Sequence, residues 1–485
     1  MKNKLFLHTP ALFLICAVIT TVPLVFGAVH PIVLSVYVFI LLFVVGSWVV
    51  LNGSLESFAG LFSFGVLVPL VLVLYLILQT VPIPLSWLEI VSPNRAHRVE
   101  AVNRIAGAHI LFAPISENSV IGFYRSFFLV SLMIYFFALK KLISSDTRAF
   151  IFIFYCVVGV GIFEALYGLV QFVKPQLGIL WLPLTAGRAA HGSIIYKNQY
   201  ASLLNMIWPV AVGGIAAIAA SRAASPGNST GTRKRRDAID KMADNQLITP
   251  VLFAAVSVII LAVLFSLSRG GILTLLLVAL LLIVMVPFSL RKKIFFLLLV
   301  GTIVGTYGAL LGFDTIASRF GAISGSGNTR LSLYSASLPL LKDHLWTGIG
   351  LGSYNLLSPV YLKGFPVGVH FDRAHNEYLE LFIELGLPMA GMLFLWLLVS
   401  MARLAFTLRQ SAASYLENMP QISIGIGAFC GLVGFFAHGL VDFGWRLPAN
   451  LIFAVTLAAL SVTSMTTPAV SMAKERRATP AEGER

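Results

Sequence analysis

The stretch that decides the fold is residues 249–290, which read TPVLFAAVSVIILAVLFSLSRGGILTLLLVALLLIVMVPFSL. Two apolar runs stand on either side of Ser268-Arg269-Gly270-Gly271. Each run is close to the roughly 20 residues that a helix needs to cross a bilayer. So short a polar break leaves no room for a soluble domain. The pattern predicts that the chain crosses a membrane, turns at Arg269 and crosses back.

The same pattern extends over the whole chain, in which 58% of the 485 residues are hydrophobic and 11% are charged. A soluble globular chain has about 25% charged residues. We therefore predict an all-α polytopic membrane protein with about 12 transmembrane helices, in one integral membrane domain over residues 1–485. The expected spans are about 11–28, 31–51, 58–81, 121–139, 149–173, 198–220, 249–267, 270–290, 294–312, 377–406, 421–442 and 449–468.

The net charge of +14 is divided between the two sides of the membrane, so it does not indicate nucleic-acid binding. An even number of spans places both chain ends on one side. The clusters Arg233–Arg236 and Arg291–Lys293 then fall on that same side, which the positive-inside rule makes the cytoplasm. Residues 221–248 are expected to be a flexible cytoplasmic loop and residues 470–485 a cytoplasmic tail. The three cysteines fall inside apolar runs and indicate neither disulfides nor a metal site.

The outer side then holds the segments near 82–120, 174–197, 268–270 and 443–448, and a long periplasmic loop, residues 313–376. Cations in outer segments are costly unless they meet carboxylates, a water-filled cavity or an anionic substrate. Pairing with Asp372, Glu377, Glu380 or Asp442 is one reading for each of these cations, and substrate binding is the other. The cations concerned are Arg188, Lys197, Arg269, Arg319, Arg330, Lys342, Lys363, Arg373 and Arg446.

Two of the outer segments suit an anionic group. The planar fork of Arg269 matches phosphate oxygens, although an arginine that reaches for the membrane surface is the alternative. Residues 186–201 bring Arg188, His191 and Lys197 to the mouth of a helix that is expected to start near Asn198. Helix N-termini favour anions, but this second signal is weak by itself.

Residues 375–388, HNEYLELFIELGLP, run from the long outer loop into a helix. His375 can accept a proton near neutral pH, as a base that activates a sugar hydroxyl must, and Asn376 could hold an amide or hydroxyl beside it. A capping or hydrogen-bonded interfacial histidine is the competing reading. Asp442 could orient a histidine, bind an arginine or lock a hairpin. The glycines Gly348, Gly350 and Gly352 predict a tight turn and not a nucleotide site.

Together these stretches resemble the O-antigen ligase and O-antigen polymerase family of membrane glycosyltransferases over roughly residues 150–465. The resemblance rests on residues 192–201, 268–270, 330–352, 375–388 and 442–450. It implies a GT-C-like fold whose long periplasmic loop carries short helices, in the bacterial inner membrane, with the active site facing the periplasm. It also implies transfer of a glycan from undecaprenyl pyrophosphate to a hydroxyl, with inversion and without a metal or another cofactor.

By matching position, the resemblance assigns the pyrophosphate to arginines and the acceptor hydroxyl to a histidine. The predicted catalytic residues are His375, Arg269 and Arg188. The predicted substrate-binding residues are Lys197, Arg330, Asn376, Arg319 and Asp442. The implied partners are the lipid-linked glycan, membrane lipids and an acceptor that is lipid A–core, a glycan or a protein hydroxyl.

The acceptor stays open because one motif departs from the ligase branch. That branch has His-Asn, nine residues, Gly, two residues and then Gly, Thr or Tyr. Gly386 fits this spacing, but Met389 stands where the Gly, Thr or Tyr belongs, and the next glycine is Gly391. A ligase that transfers to lipid A–core is the first hypothesis. A polymerase, a protein-glycosylating relative and, less favoured, a membrane transporter are the alternatives.

Overall fold

The computed structural model describes residues 2–52, 64–180, 182, 189–224, 238–286, 290–311, 323–362, 365, 371–414 and 419–465. Arg188, Arg319 and the tail 470–485 lie outside these residues, so the predictions made for them stay predictions.

The described residues are mostly helical. The first helices are α1 Lys2–Leu24, α2 Pro31–Phe39, α3 Gly46–Asn52, α4 Phe64–Thr80, α5 Leu85–Val91, α6 Pro93–Ala106, α7 Ser119–Ser145, α8 Thr147–Val173 and α9 Lys197–Ala224. The later ones are α10 Ala238–Asp244, α11 Ile248–Phe265, α12 Arg269–Met285, α13 Leu290–Leu311, α14 Ile323–Asp343, α15 Tyr354–Tyr361, α16 Glu377–Ser414, α17 Met419–His438 and α18 Pro448–Thr463. A short antiparallel pair joins β1 Ile83–Pro84 to β2 Phe112–Ala113.

Seven of the described helical segments are long and apolar enough to cross a membrane. They are Pro31–Leu51, Ser119–Ser145, Thr147–Val173, Lys197–Ala223, Ile248–Phe265, Glu377–Ala412 and Pro420–His438. Shorter apolar helices are Pro10–Leu24, Gly65–Thr80, Arg269–Met285, Lys293–Thr306 and Pro448–Thr463. The chain is therefore a multi-pass membrane protein. The long and short helices fall in the places of the expected spans, while the total of 12 and the side that each loop faces stay predictions.

Several helices start where a side chain satisfies a backbone N–H that the helix itself leaves free. Asn118 accepts from the N–H of Ile121 at 3.1 Å at the start of α7, and Asp146 accepts from Arg148 at 2.8 Å at the start of α8. Ser268 accepts from Gly271 at 3.1 Å at the start of α12. Such caps set the helix boundaries because an unsatisfied N–H is costly near the bilayer.

The centre of the fold is the pair α9 and α17. Every residue from 199 to 218 and from 420 to 432 is buried, as expected for helices that are apolar on all sides. Glycines bring the two backbones together: a Cβ on Gly427 would lie 2.2 Å from the carbonyl oxygen of Pro209, and one on Gly431 would lie 2.3 Å from that of Met206. Small residues allow this close approach between membrane helices.

The segments assigned to the outer side contain a longer helix than the short helices that were expected there. Helix α14 alone has 21 residues and contains Arg330. The segment 82–118 docks on this region through Asn94, which donates to the carbonyl of Asp343 at 2.7 Å. The guanidinium groups of Arg95 and Arg98 both bind Glu117. The segments assigned to the outer side therefore pack together at one end of the helices.

Part of the segment predicted as a flexible cytoplasmic loop, residues 238–244, forms helix α10. Its Asp240 accepts from the Ser221 hydroxyl at 2.7 Å, and the carbonyl of Ala243 accepts from Arg222 at 3.1 Å. Ile239 is buried on the face that packs back. This end of the segment is held against α9.

The glycine-rich turn closes against a break in α16. Gly348, Gly350 and Gly352 all have positive φ, of 67°, 92° and 86°, which agrees with the tight turn predicted from the sequence. Gly386 breaks α16 with φ 77° and ψ 163°, and a Cβ there would lie 2.4 Å from the carbonyl oxygen of Trp346. The turn and the break therefore require glycine at matching positions.

We expect Gly431→Val to destabilise the protein strongly, because the new side chain meets the α9 backbone and cannot relax by rotating. Overpacking costs about 1–3 kcal/mol even where neighbours can move. The matched control is Gly159→Val, since a Cβ on Gly159 meets nothing within 4 Å. The check is the thermal midpoint of each variant in detergent, and equal midpoints would contradict the tight α9–α17 contact.

Candidate active site

His375 occupies a backbone conformation that side chains rarely adopt. Its φ is 54°, in the left-handed region, which costs a non-glycine residue roughly 1–2 kcal/mol. The Tyr334 hydroxyl donates to the carbonyl of His375 at 2.9 Å and holds it there. Strained residues of this kind are often functional.

Asn376, directly after His375, caps helix α16. Its side-chain oxygen accepts from the N–H of Leu379 at 3.0 Å, and its carbonyl accepts from the N–H of Glu380 at 3.0 Å. The side-chain oxygen of Asn376 is therefore used inside the protein, and the predicted substrate binding by Asn376 stays a prediction. The cap fixes the point at which His375 leaves the loop.

His375 faces a buried carboxylate. Its Nδ1 lies 3.6 Å from Oδ1 of Asp442, slightly beyond hydrogen-bond distance. The imidazole keeps 31% of its surface exposed, whereas the Asp442 side chain keeps 2%. The ring also packs edge-on against Phe443, with centroids 4.8 Å apart. Among the readings left open for Asp442, orientation of a histidine agrees with this geometry.

Asp442 is held in its charged form. Burial alone would raise the pKa of this carboxyl, but the nearby imidazole groups of His375 and His438 and the charge of Arg330 outweigh burial. The N–H of Phe443 also donates to Oδ1 at 2.8 Å. The pKa of Asp442 therefore lies below its ordinary value, and a negative charge faces His375 at neutral pH.

Arg330 approaches the same segment from helix α14. Its Nη1 donates to the carbonyl of Val441 at 2.7 Å, next to Asp442. Tyr334 lies one helical turn further on, so α14 presents both residues on one face. The helix thus brings a guanidinium and the hydroxyl that holds His375 to one place.

Helix α12 reaches the site with its N-terminal end, where Arg269 is the first residue. A Cβ on Gly270 would lie 2.9 Å from Cγ2 of Val441 and 3.0 Å from Nε2 of His438. Asn205 of α9 fastens this end by donating to the carbonyl of Gly271 at 2.8 Å. The start of α12 therefore packs directly on the segment that carries Asp442.

The N-terminal end of α9, which begins at Lys197, also reaches this segment. Tyr196 packs edge-on against Phe443 at 5.5 Å, and Gln199 donates to the carbonyl of Phe443 at 3.4 Å. The preceding turn is fixed by the buried carboxylate of Glu164, which accepts from the N–H of Ser193 at 2.8 Å. Phe443 thus lies between His375 and the start of α9.

Arg446, one of the cations assigned to the outer side, is paired with carboxylates. Its guanidinium binds Glu377 at 3.0 Å and also contacts Glu380 and Glu384. Burial lowers the pKa of this arginine, but the three carboxylates more than compensate and raise it above the ordinary value. Arg373 pairs with Glu380 at 3.1 Å in the same cluster.

The structure adds residues that the sequence reasoning did not single out. Tyr334 had a visible signal, since it follows Arg330 by four residues. His438 precedes Asp442 by four residues and is 1% exposed. Within the described part of the chain its ring nitrogens make no hydrogen bond.

Fold and site define a multi-pass membrane protein with a histidine–aspartate pair and several cations at one end of its helices. The O-antigen ligase family model matches residues 254–403 and confirms the family resemblance indicated by the motifs. The family implies ligase-like or polymerase-like glycosyl transfer in a membrane. The match contains Arg269, Arg330 and His375, whereas Lys197 and Asp442 lie outside it. A comparison with curated proteins gives no match.

Gly270→Ala is expected to loosen the contact between α12 and residues 438–442, since the added methyl group meets His438 and Val441. Overpacking of about 1–3 kcal/mol predicts hydrogen exchange at residues 438–443 that is roughly 10-fold faster. Gly391→Ala is the control, because a Cβ on Gly391 meets nothing within 4 Å. The measurement is exchange followed by mass spectrometry, and unchanged exchange in Gly270→Ala would show that the contact does not hold the segment.

Proposed function

We propose that the protein is an O-antigen ligase-type glycosyltransferase, which moves a glycan from undecaprenyl pyrophosphate to a hydroxyl of lipid A–core at the periplasmic face of the bacterial inner membrane. The observation that carries this proposal is the meeting of three elements on residues 438–443. His375 faces Asp442, Arg330 bonds to Val441, and the helix that starts at Arg269 packs on Val441 and His438. A base and phosphate-binding cations are what this transfer requires.

His375 is the proposed base. Because Asp442 faces Nδ1, a proton on Nδ1 is favoured, and Nε2 is left to accept the proton of the acceptor hydroxyl. The hydroxyl oxygen then forms a bond to the anomeric carbon, the bond from that carbon to the pyrophosphate oxygen breaks, and the configuration inverts. The released pyrophosphate stays on its lipid, and the proton remains on His375 until solvent removes it.

The proposed leaving-group site is the cationic side of the same region. Arg269, Arg330 and Lys197 all belong to elements that contact residues 438–443. Cations brought to one segment suit a pyrophosphate whose negative charge grows as it leaves. The N-terminal end of α12 adds a helix dipole of the same sign. Arg188 and Arg319 remain proposed contributors.

A large apolar cavity supports a lipid-linked donor. It has a volume of 2140 Å³, lies between α2–α4, α7 and α16–α18, and is lined mainly by aliphatic and aromatic side chains. Small-molecule pockets are about 300–1,000 Å³, so this cavity suits a long hydrocarbon chain better. Arg373 and Glu377, which flank His375 by two residues on either side, line one end. A hydrocarbon chain in this cavity would pack against α16 and α17, the helices that border the turns of His375 and Asp442.

A polymerase that extends the glycan is the second candidate, and the specific observation in its favour is Met389 at the position where the ligase branch has Gly, Thr or Tyr. The two functions leave different products in a deletion strain. Loss of a ligase leaves lipid A–core without added glycan, whereas loss of a polymerase leaves a single added repeat. Lipopolysaccharide banding therefore discriminates between them, and unchanged banding would count against both.

His375→Ala is expected to reduce transfer by about 100-fold or more, because a positioned base contributes roughly that much. Purified protein is given undecaprenyl-pyrophosphate glycan and acceptor, and the initial rate is measured at equal protein amounts. The control is His97→Ala, which removes an exposed histidine of α6. Full activity in His375→Ala would remove this residue from the mechanism.

Arg269→Ala is expected to reduce transfer by about 100-fold, because it removes stabilisation of the leaving pyrophosphate. Arg409→Ala is the matched control, since Arg409 is an exposed arginine near the far end of α16. The same assay applies. Equal rates for the two variants would contradict the assignment of Arg269 to the donor phosphate.

A further inference from the structure

One guanidinium gathers three carboxylates of helix α16. Nε of Arg446 lies 3.0 Å from Glu377, Nη2 lies 3.2 Å from Glu380, and Nη1 lies 2.9 Å from Glu384. The glutamates follow one another at three and four residues, so α16 presents them on one face. All three carboxylates are at most 1% exposed.

Two of these carboxylates also hold the turns that carry the catalytic pair. Glu377 accepts from the N–H of Trp445 at 2.8 Å, three residues after Asp442. Glu380 accepts from the N–H of Ala374 at 3.0 Å, directly before His375. Glu384 holds neither of these two turns, since its second oxygen accepts from the N–H of Tyr354 at 3.4 Å. The turn before His375 and the turn after Asp442 are therefore tied to neighbouring carboxylates of one helix.

The cluster has as many carboxyl groups as guanidinium groups. Arg125, Arg373 and Arg446 lie among Glu377, Glu380 and Glu384, so each guanidinium has carboxyl groups of the protein near it. The cations Arg269, Arg330 and Lys197 belong instead to elements that contact residues 438–443. The cluster is thus better suited to holding the protein together than to binding the donor.

We propose that Glu377 and Glu380, joined through Arg446, are positioning residues that hold His375 opposite Asp442, an inference that rests on the proposed function. Buried ion pairs are seldom more stabilising than apolar packing. A requirement to hold His375 and Asp442 in a defined geometry therefore accounts for the buried charges of this cluster better than stability does. His375 has a strained φ of 54°, and such a conformation persists only where its surroundings impose it. On one side of His375, Glu380 accepts from the N–H of Ala374. On the other side, the N–H of Glu377 donates to the carbonyl of Gly439 at 2.8 Å. These two hydrogen bonds impose the conformation of His375.

The test compares Glu377→Gln and Glu380→Gln with Glu384→Gln. Each glutamate uses both oxygens, so each substitution removes one contact and one charge beside Arg446. Misplacement of a catalytic group by about 1 Å costs around 100-fold. We expect kcat to fall about 10- to 100-fold in the first two variants with the donor KM within about 2-fold, and to stay within about 3-fold in Glu384→Gln. Thermal midpoints should fall similarly in all three.

A double-mutant comparison separates positioning from general stability. In an Asp442→Asn background, Glu377→Gln should cost less than about 3-fold further in kcat, because residues that act through one pair are not additive. Glu384→Gln should leave kcat of Asp442→Asn unchanged. A fall in kcat that is equal in all three single variants, or a change in KM alone, would overturn the proposal.

If a glutamine variant does not accumulate, Arg446→Lys carries the test. A lysine keeps the charge but cannot reach three carboxylates with a planar fork, so kcat should again fall at constant KM. Unchanged kcat in Arg446→Lys would contradict the positioning role. If the wild-type protein shows no transfer, the proposed function is refuted. If the wild-type protein is active and the variants are as active as it is, only the positioning role of Glu377 and Glu380 is refuted.

Discussion

A guanidinium in apolar surroundings must find carboxylates, and at Arg446 this requirement organises one end of the molecule. The three contacts of 2.9–3.2 Å come from a single helix, so α16 must present Glu377, Glu380 and Glu384 toward the turn before α18. Those glutamates also bind the N–H groups of Ala374 and Trp445. A charge that is costly to bury thereby joins loops that are far apart in sequence.

The membrane helices could be predicted because lipid leaves few alternatives for the backbone. Long apolar runs must be helical, since every N–H and C=O needs an internal partner. Their boundaries were less accessible, since these depend on caps such as Asn118 and Asp146, which a hydropathy pattern does not register. Only short helices were expected in residues 313–376, whereas α14 has 21 residues. Ser324, Gly325 and Ser326 in its first turn have low helix propensity, so the sequence does not indicate where this helix begins.

The candidate site was predictable in its members more than in its arrangement. His375, Arg269, Arg330 and Asp442 stood out because polar residues in outer segments of such an apolar chain need a reason. The sequence did not establish that Asn376 caps α16 or that Arg446 is neutralised by carboxylates. Both depend on contacts that only the fold creates. The spacing of the three glutamates was visible in the sequence, but nothing there identified their shared cation.

Met389 departs from the ligase pattern, and the structure shows what its neighbours Gly386 and Gly391 contribute to the fold. Gly386 is indispensable, because its φ of 77° and its contact with the carbonyl of Trp346 exclude a Cβ. Gly391 has open space around it, so no packing constraint fixes a glycine there. Met389 packs against the apolar cluster of Leu351 and Leu385. The glycine of the ligase pattern is thus a condition of this fold, whereas the position that the pattern gives to Gly, Thr or Tyr holds an apolar side chain in a packed cluster.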